Sequence, residues 1–178
     1  MFFLEKGENM TKLEKLYDLA HKNNVDIHFF DLTEVGVLGL NIEKEGLPHM
    51  IFLDLKLKSN NALHLEILAH ELGHYFTTIS NTLESKNYRE RLYNNKFENK
   101  ADKWACEFLI TEEEIINTLN KNITNIYDIA EYLDVPLSIL RKRLEYLSLQ
   151  KQSIKVSDNK YLILTNLPNI YFYESLRK

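Results

Sequence analysis

The stretch LEILAHELGHYF, residues 65–76, decides how the rest of the chain is read. It carries His70, Glu71 and His74 in the spacing HExxH. Four residues along an α-helix rise about 6 Å and end only about 40° past a full turn. Both imidazoles therefore leave one face and can close on a single metal ion, for which zinc is the expected identity. Glu71 falls beside that ion, where a carboxylate can take a proton from a water whose pKa the metal has lowered. With six histidines in 178 residues, composition alone yields this spacing roughly 0.02 times by chance. Leu65, Leu68, Leu72, Phe76 and Ile79 form one helical stripe, and Leu63, Ile67, His70 and His74 another on the opposite side. The pattern predicts a helix with core beneath it and a partly apolar cleft above.

A zinc site that keeps a position open for water needs a third protein ligand. Downstream, KFENKADKWACEFLI (96–110) places Glu98, Ala101, Asp102 and Ala105 on one helical face, with Phe97, Trp104 and Phe108 alongside. The alanines would let this helix lie close to the first. Glu98 is the expected third ligand, and Asp102, one turn on, is placed to accept the second ring N–H of a ligating histidine and so fix its tautomer. The alternative is a solvated Glu and Asp on an ordinary amphipathic helix.

Three separated blocks, HELGHYFTT, ENKADKWACEFLIT and NIYDIAEYLDVP, resemble the ImmA/IrrE family of zinc metallopeptidases, in particular its short members from phages and conjugative elements. The similarity covers roughly residues 11–147. It implies a zincin-like peptidase that cuts a DNA-binding regulator, typically the repressor of the mobile element that encodes it, and so acts as an anti-repressor. Carried over residue by residue, the family's ligands fall on His70, His74 and Glu98 and its catalytic glutamate on Glu71. Some relatives replace the first histidine by glutamate, whereas this chain keeps His70.

Composition sets the outer bounds. An apolar share of 44% in 178 residues suffices for one domain with a core and a small appendage. The expected division is a metallopeptidase unit over 1–120, a helical extension over 121–150 and a β-like tail over 151–178. The single cysteine, Cys106, excludes a disulfide within the chain and reads as a buried, inert thiol. No run of 18 apolar residues exists, and MFFLEKGENM is too short and too acidic for a signal peptide. A cytoplasmic protein with no membrane association is therefore expected. The net charge of −4 disfavours nucleic acid as the main partner.

Along the chain, Leu13, Leu16, Tyr17 and Ala20 predict a helix ending near Asn23. VDIHFFDL alternates as a strand, VGVLGLNI is expected as a second, and HMIFLDLKL as a third, with Ile51, Leu53, Leu55 and Leu57 on one face. Such a small sheet leaves an edge for an extended substrate. His21, His28, His49 and His64 match no metal phase and are expected at the surface or as caps. Residues 77–96 read as a polar loop beside the site, with Tyr75, Tyr88 and Tyr93 as neighbours rather than catalysts. Thr111 followed by Glu112, Glu113 and Glu114 reads as a helix start. Residues 122–147 then read as two helices about a turn at Asp134 to Pro136, similar to a helix-turn-helix. Arg141, Lys142 and Arg143 are the only dense basic run there. Two roles compete for this pair, DNA reading or a brace that grips the protein substrate. The tail reads as one or two strands about Asp158 and Asn159.

The expected whole is an α+β, zincin-like zinc endopeptidase with a helix-turn-helix-like extension. Its expected partner is a helix-turn-helix repressor. The competing class is a non-catalytic regulator in which the metal is structural, although such a site normally has four protein ligands.

Overall fold

The first helix begins where its backbone donors find a partner. Thr11 accepts from the Glu14 N–H at 3.2 Å while the Glu14 carboxylate accepts from the Thr11 N–H at 2.7 Å. This reciprocal cap opens α1 (Lys12–Lys22), whose Leu16 and Ala20 are buried. The computed structural model describes residues 10–77 and 88–175, and for 88–94 only the backbone.

After α1 the chain enters β1 (Val25–Phe30), whose alternate residues turn inward as expected. The second strand is shorter than its sequence suggests. Residues 33–36 form a turn in which Gly36 takes φ +75° and its N–H reaches the Leu32 carbonyl at 3.0 Å. Val35 and Val37 are exposed there, and β2 spans only Gly39–Ile42. The expected third strand also ends early. β3 (His49–Asp54) stops at Asp54, whose buried carboxylate accepts from the N–H groups of Leu32 (3.0 Å) and Lys56 (2.8 Å). Capped in this way, residues Leu55–Ser59 wind into a 3-10 helix. Leu55 is thereby turned out to 46% exposure while Leu57 stays buried. The sheet has the order β1-β3-β2, with β1 parallel and β2 antiparallel to β3. β2 is therefore an edge strand.

Asn60 accepts from the Leu63 N–H at 3.1 Å and starts α2 (Asn61–Thr77). Leu65, Leu68, Ala69 and Leu72 are buried on its core side. Phe76, expected in that stripe, is instead 38% exposed, stacked on Trp104 at 4.8 Å between ring centroids, with Phe108 beyond at 5.2 Å. Ile79 lies outside the described residues. The partner helix α3 (Tyr88–Leu109) starts earlier than its sequence pattern, so 88–95 are helical rather than loop. Among 95–100 every residue but Phe97 is exposed, and a helix that buries no stripe shows no apolar period.

The two helices approach most closely at Gly73. A Cβ there would lie 2.4 Å from the backbone oxygen of Ala101, itself fully buried on α3. Helix propensity alone would favour Gly73→Ala by about 1 kcal/mol. The clash is with backbone, so the helices must part, and overpacking of this kind costs about 1–3 kcal/mol or more. The variant is expected to be net destabilised in urea unfolding and to bind metal more weakly, because Glu98 recedes from the histidines. A gain in stability would show that the two helices accommodate the methyl group.

A second reciprocal cap at Thr111 and Glu114 opens α4 (Glu112–Asn120). α5 (Ile126–Tyr132) and α6 (Leu137–Ser148) follow, joined through Asp134 at φ +51°. Leu140, Leu144 and Leu147 of α6 are buried, each contributing about 1.5–3 kcal/mol of transfer free energy. Of the basic run, Arg141 is exposed and Lys142 partly so. Arg143 is 7% exposed, donating through Nε to the Ile110 carbonyl (2.9 Å) and through Nη1 to Glu107 (3.3 Å). Lys142 donates to Asp102 at 3.0 Å.

The tail forms three strands rather than one or two. β4 (Ser153–Lys155), β5 (Lys160–Ile163) and β6 (Tyr171–Glu174) make an antiparallel meander. Each strand has only three or four residues, too few for alternation to show in sequence. One apolar cluster runs from Leu16 to Leu164, continuous across residues 120 and 150. The architecture is α+β. No described helix is long and apolar enough to cross a membrane.

Candidate metal centre

The helical spacing brings His70 and His74 to one face of α2, and the contact at Gly73 sets α3 against that face. Their Nε2 atoms are 3.0 Å apart. Glu98 arrives from α3 with one oxygen 3.2 Å from His70 Nε2 and the other 3.4 Å from His74 Nε2. Ligands at the usual zinc distances stand about 3.3 Å apart around a tetrahedron, and the three observed separations lie close to that. One ligand atom from each residue falls within 4.8 Å of the others.

The chemistry of the donors makes this arrangement a demand for a cation. His70 Nδ1 lies 2.9 Å from Asp102 Oδ1. A carboxylate accepts there, so Nδ1 carries the hydrogen and Nε2 of the neutral ring presents a lone pair. That lone pair faces His74 and a carboxylate oxygen, which are electron-rich in turn. A metal ion held by His70, His74 and Glu98 would turn that repulsion into ligation, and two imidazoles with one carboxylate are a donor set that fits zinc. The basicities follow from the crowding. Burial lowers the pKa of His70, but the Asp102 hydrogen bond and the charges of Glu71, Asp102 and Glu98 outweigh it and raise the group above the ordinary histidine value. His74 is lowered, first by burial and then by the charge of His70. Protons and a metal compete for the same lone pairs.

Glu71, next to His70 on the same helix, lies beneath the edge strand β2. It is 8% exposed, and burial raises its carboxyl above the ordinary range despite an opposing hydrogen bond. The slot it fills exists because residue 39 is glycine. A Cβ on Gly39 would sit 2.4 Å from Glu71 Oε1. Two places along β2, Asn41 donates through Nδ2 to the Glu71 carbonyl (2.8 Å) and to Glu71 Oε2 (2.5 Å). With both amide hydrogens directed there, Asn41 Oδ1 accepts from His49 Nε2 at 2.5 Å. Glu71 is thus gripped by Asn41 of β2, itself held by His49 of β3, a residue pair that no spacing rule points to.

The remaining sequence expectations sort as follows. Tyr75 donates its hydroxyl to the Asn23 carbonyl at 3.3 Å, away from the histidine pair. The side chains of Tyr88 and Tyr93 lie outside the described residues. His64, expected at the surface or as a cap, is a buried core histidine. Its Nε2 meets the Tyr17 hydroxyl at 2.9 Å and its ring the edge of Phe29. It lies on the side of α2 that faces α1, where a polar ring survives only with such a partner. Cys106 is fully buried and its thiol is pushed up to about 12, mainly by burial, which leaves it unreactive. Lys142, read from sequence as part of a basic run, touches the centre through Asp102.

No curated protein and no solved structure matches the chain. A family model does, described as the IrrE N-terminal-like domain of the M78 peptidases, and it spans residues 20–145. That span holds the sheet, both helices of the centre and most of α6. A zincin-like architecture and a metal requirement come with it. The chain therefore belongs to the IrrE N-terminal-like family of metallopeptidases, the ImmA/IrrE group that its three sequence blocks resemble.

Proposed function

We propose that the chain is a zinc-dependent endopeptidase that cuts a helix-turn-helix repressor of a mobile element at one or very few bonds, relieving repression. The observation that carries this reading is the convergence of His70, His74 and Glu98 with Glu71 held beside them. Three protein ligands leave a position for water and substrate, unlike a structural site with four. When bound, zinc supplies an acidified water and a polarised carbonyl. Glu71 receives the proton on Oε1, the oxygen that Asn41 leaves open, and returns it to the leaving amine. Asp102 keeps His70 in its ligating tautomer. The substrate backbone adds to the outer edge of β2, which runs directly over Glu71.

Selectivity has to come from outside a site that reads only backbone. The helical pair within 121–150 is the proposed grip, bracing the peptidase unit and meeting the folded substrate. A protein substrate is favoured over DNA because Lys142 and Arg143 each form an ion pair within the chain, which neutralises two of the three members of that basic run. The reading is tested by incubating the purified chain with zinc and the element's repressor and weighing the fragments. Two specific fragments, or a few, are expected, with casein left intact. Rapid casein digestion would point to a general protease, and an uncut repressor together with tight operator binding to a DNA-binding regulator.

A further inference from the structure

Asp102 has two carboxylate oxygens and both are occupied. Oδ1 faces His70 Nδ1 at 2.9 Å, and Oδ2 accepts from Lys142 Nζ at 3.0 Å. The lysine comes from α6, forty positions along the chain, and its place there is fixed by neighbours on the same helix. Arg143 is pinned to the end of α3 through the Ile110 carbonyl and Glu107. Ser138 donates to Glu66 of α2 at 2.8 Å. Leu140 and Leu144 are buried beneath. α6 thus holds both helices of the centre, with Lys142 at the point nearest the ligands.

We propose that Lys142 is a positioning residue of the metal centre: by holding Asp102 Oδ2 it fixes the carboxylate plane, and so the orientation in which His70 presents Nε2. A carboxylate bonded through one oxygen can pivot about χ2, whereas one held at both oxygens cannot, and the imidazole that it orients is held equally firmly. At 3.0 Å the two groups form an ion pair. The side chains are 26% and 39% exposed, so the pair adds little to global stability. Its effect is on geometry. Because coupling of this kind is reciprocal, metal binding in turn secures α6.

This inference rests on the metal-centre reading, and the experiment separates the two. Zinc affinity is measured by chelator competition on the full chain for Lys142→Met, Lys142→Gln, Lys142→Arg, Arg141→Met, His74→Ala and the wild type. Loss of an outer partner of a ligating histidine costs about 10–100-fold in affinity, and for a residue one bond further out the lower end, about 10-fold, is expected in both Met and Gln variants. Arginine should restore binding to within about 3-fold of wild type, since a single contact to Oδ2 needs only a cationic donor of similar reach. Arg141→Met should bind as wild type. In an Asp102→Asn background, Lys142→Met should weaken zinc binding no further. Hydrogen exchange supplies a readout independent of affinity: zinc should slow exchange of amides 137–148 in the wild type but not in Lys142→Met. Wild-type affinity in both Lys142→Met and Lys142→Gln would overturn the inference, and so would an equal loss in Lys142→Arg, which would trace the effect to packing. Full zinc binding by His74→Ala would overturn the metal-centre reading itself, and the inference with it.

Discussion

A Glu71→Gln variant is expected to bind zinc as the wild type does while its turnover falls by about 10²–10⁴-fold, the usual contribution of a positioned general base. The amide has the same shape as the carboxylate, so it fits the slot under Gly39, and its oxygen can still accept from Asn41 Nδ2. Burial already raises the Glu71 pKa. Replacing a buried carboxylate by a neutral isostere removes a desolvation cost, and stability should hold or rise slightly. Fold and metal are therefore expected to survive, while the proposed proton acceptor is gone. Zinc content and the rate of the proposed repressor cleavage, measured on the same preparation, check this. Turnover within about tenfold of wild type would remove Glu71 from the mechanism.

Glu98→Ala should act on the metal instead. Glu98 is more than half exposed, with a side-chain exposure of 55%, and truncating it in the metal-free chain should change stability by no more than about 0.5 kcal/mol. In the presence of zinc it removes one of three ligands. The loss of affinity should exceed about 100-fold, the upper end for partners that do not touch the metal at all. Activity should fall with occupancy, and the melting temperature should stop rising with added zinc. Asp102→Ala is the informative companion, expected to weaken binding less. Full occupancy in Glu98→Ala together with loss in Asp102→Ala would transfer the third-ligand role to Asp102.

What could be read from the chain was whatever repeats with the backbone. His70 and His74 share a face because 3.6 residues make a turn, and Glu98 and Asp102 share another for the same reason. Thr111 announces a helix start because its cap closes within three residues. Residues 25–30 alternate because strand side chains do. Misreadings arose where a local pattern was imitated or too short. VGVLG alternates like a strand but turns at Gly36, the run through Leu57 is cut by the cap at Asp54, and the three tail strands are too brief to register.

The sequence by itself determined the helix that bears HExxH, the helix that bears Glu98 and Asp102, and the kind of chemistry these residues can perform. Only the tertiary structure decided that the two faces meet. It did so through Gly73 against the Ala101 carbonyl, and it placed Glu71 under Gly39 and Asn41 and tied Asp102 to Lys142. These contacts join residues 28 to 40 positions apart. A contact at that separation depends on packing across the core and imposes no period on the residues around it. A glycine needed for a close approach, or a lysine needed for its reach, looks in sequence like any other glycine or lysine.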